Sequence, residues 1–102
     1  MALSINSINN EANGSWDVKV SGEIDLSNAQ QFKQELENAL AEKRQNICID
    51  FEKLSYIDST GLGVIIGVYG SIKKDGYKVK ILNPRDNVKK LLNISGLDKI
   101  LC

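Results

Sequence analysis

The chain has no histidine, one proline and two cysteines, and these shortages exclude several kinds of chemistry. Histidine is the commonest general base and the commonest metal ligand in proteins, so both roles lack their usual residue. Cys48 falls in a predicted strand and Cys102 is the last residue, so a disulfide would require the tail to reach into the sheet. We therefore expect reduced thiols, no metal and no cofactor.

A net charge and a long apolar run are also missing. Thirteen basic residues balance thirteen acidic ones, so the chain lacks the electrostatic footprint of a protein that binds nucleic acid or an anionic membrane. The longest apolar run, around Val64 to Tyr69, is interrupted by Gly67 and is far too short to span a bilayer. No signal peptide is recognisable. We expect a cytoplasmic monomer whose partners are proteins, with neither nucleic acid nor membrane among them.

The 102 residues are enough for one domain, and we assign residues 1–102 to it. Period-two alternation and β-branched residues predict four strands, and an Asn-Gly pair at Asn13 and Gly14 predicts a hairpin between the first two. The predicted strands are Leu3–Asn9, Ser15–Ser21, Asn46–Phe51 and Tyr77–Leu82.

Helical periodicity predicts three helices, over Ser27–Ala41, over Thr60–Lys74 and from Asn83-Pro84 to about Gly96. Ser27 and Gln30 have the spacing of a capping box, and Pro84 suits a first helical position. Gly76 is available as a left-handed cap for the second helix. The apolar stripe of the first helix consists of Ala29, Phe32, Leu36, Ala39 and Leu40.

The pattern inside the strands predicts how the helices are arranged. Trp16, Val18 and Val20 alternate with polar residues, whereas a sheet covered on both faces would have continuous apolar strands. The helices should therefore lie mainly on one face. Strands that alternate with helices imply parallel pairing and right-handed crossovers. We predict an α/β fold, a right-handed β-α superhelix around a four-stranded mixed sheet whose N-terminal strand is antiparallel.

The stretch from Tyr56 to Gly63 places a carboxylate and two hydroxyls where a strand-exit loop turns into a helix. Asp58 or Ser59 is the natural N-cap, and a helix N-terminus is hospitable to a phosphate. Serine catalysis is not expected, since no histidine can activate Ser59 and no G-x-S-x-G elbow is present. Ser59 is then either a helix cap or a phosphate acceptor. Asp58 either orients that hydroxyl or is only a cap.

The glycines of the second helix need an explanation, because an interior glycine costs about 1 kcal/mol relative to alanine. Gly61, Gly63 and Gly67 do not have the spacing of a dinucleotide-binding loop. Close approach of the helix to the sheet explains Gly67 and Gly70. For Gly61 and Gly63, packing is favoured, and the alternative is a bare first turn that lets another protein's backbone come close.

Three segments together resemble one known family. Ile49-Asp50-Phe51 followed by Tyr56-Ile57-Asp58-Ser59-Thr60-Gly61-Leu62-Gly63 is similar to the signature of the STAS domain in bacterial anti-sigma factor antagonists. Ser21–Asp25 resembles a second hallmark of that family, and Asn83-Pro84 with Val88–Leu92 matches the start of its third helix. Members commonly continue past the stretch that matches Leu97–Leu101. The resemblance implies a β-α superhelix, in agreement with the one-faced alternation.

The resemblance also implies a function. In that family an anti-sigma factor, itself a serine kinase, phosphorylates the serine that matches Ser59; Thr60 is the alternative acceptor. The unphosphorylated antagonist captures the kinase and frees the sigma factor, and a phosphatase resets the phosphorylated form. The expected partner-binding residues are those of three loops at one sheet edge: Gly22, Glu23, Ile24, Asp25, Asp58, Ser59, Thr60, Gly61, Leu62, Asn83, Pro84 and Arg85.

Two classes of function follow. The first is a regulatory binding module that is switched by phosphorylation of Ser59 in a partner-switching circuit that controls transcription. The alternative is a stand-alone STAS adaptor subunit of a lipid-transport ATPase system, in which Ser59 is only a cap. We expect no enzyme activity and no catalytic residues, because neither a metal site nor an acid-base pair is recognisable.

Overall fold

The computed structural model describes residues 3–101, which form four strands and four helices in the chain order β-β-α-β-α-β-α-α. The elements are β1 (Ser4–Asn10), β2 (Ser15–Ile24), α1 (Ala29–Glu42), β3 (Asn46–Ile57), α2 (Ser59–Lys73), β4 (Val79–Leu82), α3 (Asp86–Ile94) and α4 (Asp98–Leu101).

The strands form one sheet in the order β1-β2-β3-β4. The hairpin strands β1 and β2 pair antiparallel, from Ser4 opposite Ser21 to Asn10 opposite Ser15, and Gly14 supplies a positive φ of 65° in the turn. β2 with β3 and β3 with β4 pair in parallel. The predicted mixed sheet with an antiparallel N-terminal strand is confirmed.

The two faces of the sheet differ in polarity, as the alternation predicted. Trp16, Val18 and Val20 of β2 are buried, whereas Lys19 between them is exposed and Asp17 is half-buried. The predicted stripe of α1 is buried in full, and α1 lies against α2. The helices therefore cover mainly one face of the sheet. The core includes Phe32, Leu36, Ile47, Ile49, Phe51, Leu54, Ile65, Ile72, Val79, Ile81, Val88 and Leu92.

β3 is twice as long as predicted, with 12 residues, and it continues six residues beyond Phe51. Its pairing with β2 shifts register twice, and these irregularities interrupt the alternation that marks a strand in sequence. β4 pairs with β3 only as far as Asp50. Beyond Asp50, two side chains at the start of α3 bind the backbone of β3 in place of β4. Arg85 Nε donates to the Glu52 carbonyl at 2.9 Å, and Asn87 Nδ2 donates to the Ser55 carbonyl at 2.7 Å.

The predicted capping box at the start of α1 is wrong. The helix begins at Ala29, and its N-cap residue Asn28 makes no side-chain hydrogen bond to the first turn. The backbone N–H and the hydroxyl of Ser27 both donate to the carboxylate of Asp25 instead. A charged acceptor two residues away forms the stronger hydrogen bonds, so Ser27 belongs to the preceding turn.

The predicted start of α3 is also wrong, because Pro84 is not the first helical residue. The helix begins at Asp86, and its N-cap Arg85 is extended. Asn83 has a φ of 53°, a left-handed conformation that asparagine tolerates better than most residues, and it turns the chain before Pro84. The helix ends as predicted, near Gly96 with its φ of 77°.

α4 was not predicted. It is a single turn that buries Leu101 at the end of the described chain and packs against β4 and α3. Cys48 is a free, half-buried thiol. The prediction that concerns Cys102 falls outside residues 3–101. Within the described part of the chain, no helix combines the length and apolar character that a membrane crossing requires.

Gly61 is the glycine at which the fold requires the absence of a side chain. A Cβ atom built there would lie 2.7 Å from Ile24 Cγ2 and 2.7 Å from Ile57 Cγ1, and both isoleucines are buried. The packing explanation therefore holds for Gly61. It is wrong for Gly67 and Gly70, where an added Cβ would meet nothing within 4 Å, because both face away from the sheet.

This contrast predicts opposite effects of two alanine substitutions in one helix. Gly61→Ala should lower the free energy of unfolding by about 1–3 kcal/mol, because two packed isoleucines must move. Gly67→Ala, the matched control, should raise it by up to about 1 kcal/mol through helix propensity. Urea denaturation of both variants measures the difference. Equal effects at the two positions would contradict the close approach of α2 to the sheet.

Candidate functional site

The candidate site lies where the carboxyl ends of β2 and β3 meet. The last pair in their register is Ile24 opposite Ile57, and the Asp58 N–H donates to the Ile24 carbonyl at 3.1 Å. The loop between β2 and α1 and the start of α2 are thereby held side by side. Two of the three segments predicted for partner binding, Gly22–Asp25 and Asp58–Leu62, are brought together here.

Asp58 is the N-cap of α2, which decides between the two candidates for that role. One oxygen, Oδ1, accepts hydrogen bonds from the Thr60 N–H at 2.9 Å, from the Gly61 N–H at 3.3 Å and from the Thr60 hydroxyl. The hydroxyl is the main cause of a lowered pKa of Asp58; partial burial raises that pKa, and the backbone amides of Gly61, Thr60 and Leu26 lower it further. The carboxylate is therefore held ionised at neutral pH.

Ser59 is the first residue of α2, and it is exposed. Its hydroxyl forms no hydrogen bond with any other residue between 3 and 101. Thr60 differs on both points, because it is half-buried and its hydroxyl is bound to Asp58. The two neighbouring hydroxyls are thus unequal, and only that of Ser59 is free to react or to bind. Asp58 caps the helix through Thr60 and Gly61 and makes no hydrogen bond to the Ser59 hydroxyl.

The loop between β2 and α1 is held by its own polar side chains. Asn28 Oδ1 accepts from the Asp25 N–H at 2.9 Å, and Asn28 Nδ2 donates to the Glu23 carbonyl at 2.9 Å. Asp25 in turn accepts from Ser27. This loop is therefore ordered before any partner binds.

Several predicted site residues lie beneath the surface of the site. Ile24 and Leu62 are buried apolar residues, and Gly22 is a buried strand residue with a φ of 101°. Gly61 packs on Ile24. These residues support the two loops from below, while Glu23, Asp25, Ser59 and Thr60 form the polar surface.

The third predicted segment, Asn83 to Arg85, follows the shorter strand β4. Leu82 ends that strand opposite Asp50, seven residues before Ile57 in β3. Asn83 Nδ2 donates to Asp50 Oδ1 at 3.3 Å, and Arg85 is bound to the Glu52 carbonyl. These side chains attach the start of α3 to β3. The hydrogen bonds of these side chains are therefore made to β3 and not to the loops at Asp25 and Asp58.

Two features of the site were not predicted from sequence. Leu26, in the middle of the hydrogen-bonded loop, has 79% of its surface exposed. The signal for it is an apolar residue between the turn-forming residues Asp25 and Ser27. A groove of about 500 Å³ also runs between α1 and α2 from Thr60 along Gly63 and Gly67. No atom lies within 4 Å of a Cβ placed at Gly63, so packing against the sheet does not explain this glycine. The alternative, a bare first turn that another protein's backbone can approach, stays open.

Within residues 3–101 there is no group of three His, Cys, Asp or Glu residues able to hold a metal ion. The carboxylate at the centre of the site, Asp58, is already bound by the donors of its own helix.

Comparison with known proteins identifies the family of the chain. The model of the STAS domain matches residues 7–101. The anti-sigma-B factor antagonist of Bacillus subtilis (strain 168) is 37% identical over 84 residues, which cover 82% of this chain and 76% of that protein. The anti-sigma-B factor antagonist of Staphylococcus aureus (strain NCTC 8325 / PS 47) is 29% identical over 86 residues, 84% of this chain and 80% of that protein.

Solved structures share the fold. The anti-sigma factor antagonist SpoIIAA in its unphosphorylated form superposes with a TM-score of 0.81 at 24% identity, over 99% of this chain and 86% of that one. The phosphorylated form of the Bacillus SpoIIAA superposes with a TM-score of 0.72 at 22% identity, over 99% of this chain and 89% of that one. The family model, the identity with the Bacillus subtilis protein and the shared fold agree. The chain belongs to the STAS-domain family of bacterial anti-sigma factor antagonists.

Proposed function

We propose that this protein binds an anti-sigma factor that is a serine kinase, receives a phosphate from it on Ser59, and is released when phosphorylated. The observation that carries the proposal is the difference between two adjacent hydroxyls. Ser59 is exposed and unbonded at the start of α2, whereas the Thr60 hydroxyl is bound to Asp58. The chain is then a regulator of transcription and a substrate of the kinase, without catalytic activity of its own.

The position of Ser59 suits phosphoryl transfer. Its oxygen attacks the γ-phosphorus of ATP, the bond to ADP breaks, and the hydroxyl proton leaves to a base on the kinase or to solvent. The product phosphate adds about 1.5 to 2 negative charges beside the first-turn N–H groups of α2, whose dipole favours an anion. The fold is therefore expected to tolerate the modification.

The charge of the surrounding loops explains release. Residues 22–28 and 58–62 contain three carboxylates, those of Glu23, Asp25 and Asp58, and no lysine or arginine. A partner that binds the unphosphorylated form needs only an uncharged surface opposite the neutral hydroxyl of Ser59. A phosphate on Ser59 must be desolvated among these carboxylates on binding, and burying an unpaired charge costs several kcal/mol. The same surface therefore explains why the unphosphorylated form binds the kinase and why the phosphorylated form is released from it.

The proposal is tested by incubating the chain with ATP and each purified histidine-kinase-like ATPase encoded in the source genome. Intact mass should increase by one phosphate with one of them, and phosphopeptide mapping should locate that phosphate on Ser59. A phosphate on Thr60 would overturn the assignment of the acceptor. No phosphorylation by any of these kinases would overturn the switch and favour the adaptor of a lipid-transport ATPase.

Substitutions at Ser59 should separate binding from phosphorylation. Ser59→Ala should abolish phosphorylation and keep wild-type affinity for the kinase, because the surface stays uncharged. Ser59→Asp should weaken binding by at least tenfold, because a new carboxylate must be desolvated. Since Asp58 is the cap, neither change removes a cap, and both variants should melt close to wild type. Titration of the kinase and a thermal melt measure the two effects.

Thr60→Val is the matched control for these variants. It removes the neighbouring hydroxyl and its hydrogen bond to Asp58 but leaves Ser59 in place, so the variant should still be phosphorylated. A Ser59→Asp variant that binds as tightly as wild type would contradict the proposed switch.

The cap gives a separate prediction for pH. Because the pKa of Asp58 is lowered by folding, its ionised form stabilises the native state above the ordinary value of 3.8, and this contribution is lost as the pH falls through the lowered pKa. Asp58→Asn keeps a capping residue but loses the charge. The wild type should therefore have a higher free energy of unfolding than the variant at pH 7, and this difference should become smaller towards pH 2.

Urea denaturation across this pH range measures this difference. Glu11→Gln, which removes an exposed carboxylate in the turn after β1, is the control for the loss of one negative charge. A gap between wild type and Asp58→Asn that widens as the pH falls would be incompatible with a lowered pKa.

A further inference from the structure

Leu26 is more exposed than any other large apolar side chain within residues 3–101, with 79% of its surface accessible. Single exposed apolar residues are ordinary on protein surfaces, so exposure alone does not indicate a role. The position of Leu26 does, because it lies in the loop beside the start of α2.

The backbone on both sides of Leu26 is held by hydrogen bonds. The Asp25 N–H donates to Asn28 Oδ1 at 2.9 Å, and the Ser27 N–H donates to Asp25 Oδ1 at 2.9 Å. The N–H groups of Asn28 and Ala29 also donate to the Asp25 carbonyl, at 3.1 Å and 2.8 Å. The loop therefore exposes an apolar side chain from a fixed backbone, and little conformational entropy remains to be lost when a partner covers it.

A backbone hydrogen bond links the loop of Leu26 to the proposed acceptor. Asp58 directly precedes Ser59 in the chain, and its N–H donates to the carbonyl of Ile24, two residues before Leu26, at 3.1 Å. A kinase close enough to transfer a phosphoryl group to Ser59 must therefore cover or pass beside Leu26. Every other side chain at the surface of these loops is polar, so an apolar residue at this place is a distinctive contact.

We propose that Leu26 is an anchor residue that inserts into an apolar pocket of the anti-sigma factor, beside the site at which that kinase holds its nucleotide. This inference rests on the proposed function. Leu26 does not touch the reacting atoms, so it is a docking and specificity residue. The residues that dominate the affinity of protein interfaces lie in well-packed, fully desolvated pockets, and that is the environment proposed for Leu26.

Steady-state phosphorylation by the kinase that modifies the wild-type chain tests the inference. Leu26→Ala should raise the KM for the chain by about tenfold or more, the effect of losing a buried leucine side chain, with kcat unchanged. Leu26→Met keeps an apolar side chain of similar volume and should restore a KM near wild type. Ile94→Ala is the matched control, because Ile94 at the end of α3 is 74% exposed and should have no effect.

The outcomes separate this inference from the proposed function. If the wild-type chain is phosphorylated on Ser59 and Leu26→Ala has the same KM, only the anchor role is overturned. If no kinase phosphorylates the wild-type chain, both fail. If Leu26→Ala lowered kcat at unchanged KM, the anchor role would be overturned, and Leu26 would instead help to position Ser59 for phosphoryl transfer. A wild-type dimer that Leu26→Ala dissociates, measured by sedimentation, would overturn it in favour of self-association.

Discussion

The arrangement of the site depends on the hydrogen bonds accepted by the carboxylate of Asp58. The same group caps α2 and accepts a hydrogen bond from the hydroxyl of Thr60. It thereby leaves Ser59 as the hydroxyl without a partner among residues 3–101, and the Asp58 N–H joins the two loops by donating to the Ile24 carbonyl. Gly61, one of the residues that donate to the cap, also allows α2 to lie directly on Ile24 and Ile57, where a Cβ atom would collide. The first turn of α2 is therefore fixed both by its cap and by its packing.

Those parts of the fold that arise from regular periodicity could be predicted from the sequence. Alternation in β2 correctly predicted the one-faced sheet, because a half-buried strand has a period of two. The apolar stripe of α1 is buried as predicted, since helix packing depends on a repeat near 3.6. Asp58 was one of two candidate caps, and the extended backbone before α2 selects it over Ser59.

The features that could not be predicted depend on contacts between distant parts of the chain. β3 runs on to Ile57 because its bulged end is paired by β2 and bound by Arg85 and Asn87, and no local pattern encodes those partners. The capping box at Ser27 is absent because Asp25 competes for the same donors. The glycines of α2 have equal propensities in sequence, and it is the tertiary position of Gly61 that leaves no room for a Cβ atom there.

Amide hydrogen exchange with and without the anti-sigma factor tests the central claim most directly, because it locates the partner's footprint without any substitution. Residues 22–26 and 58–62 should gain protection when the unphosphorylated chain binds the anti-sigma factor. They should gain none when Ser59 carries phosphate. The segment Asn83–Arg85 attaches α3 to β3, and the proposed switch requires no added protection there. Added protection confined to the polar face of the sheet, around Lys19 and Asp50, would contradict it.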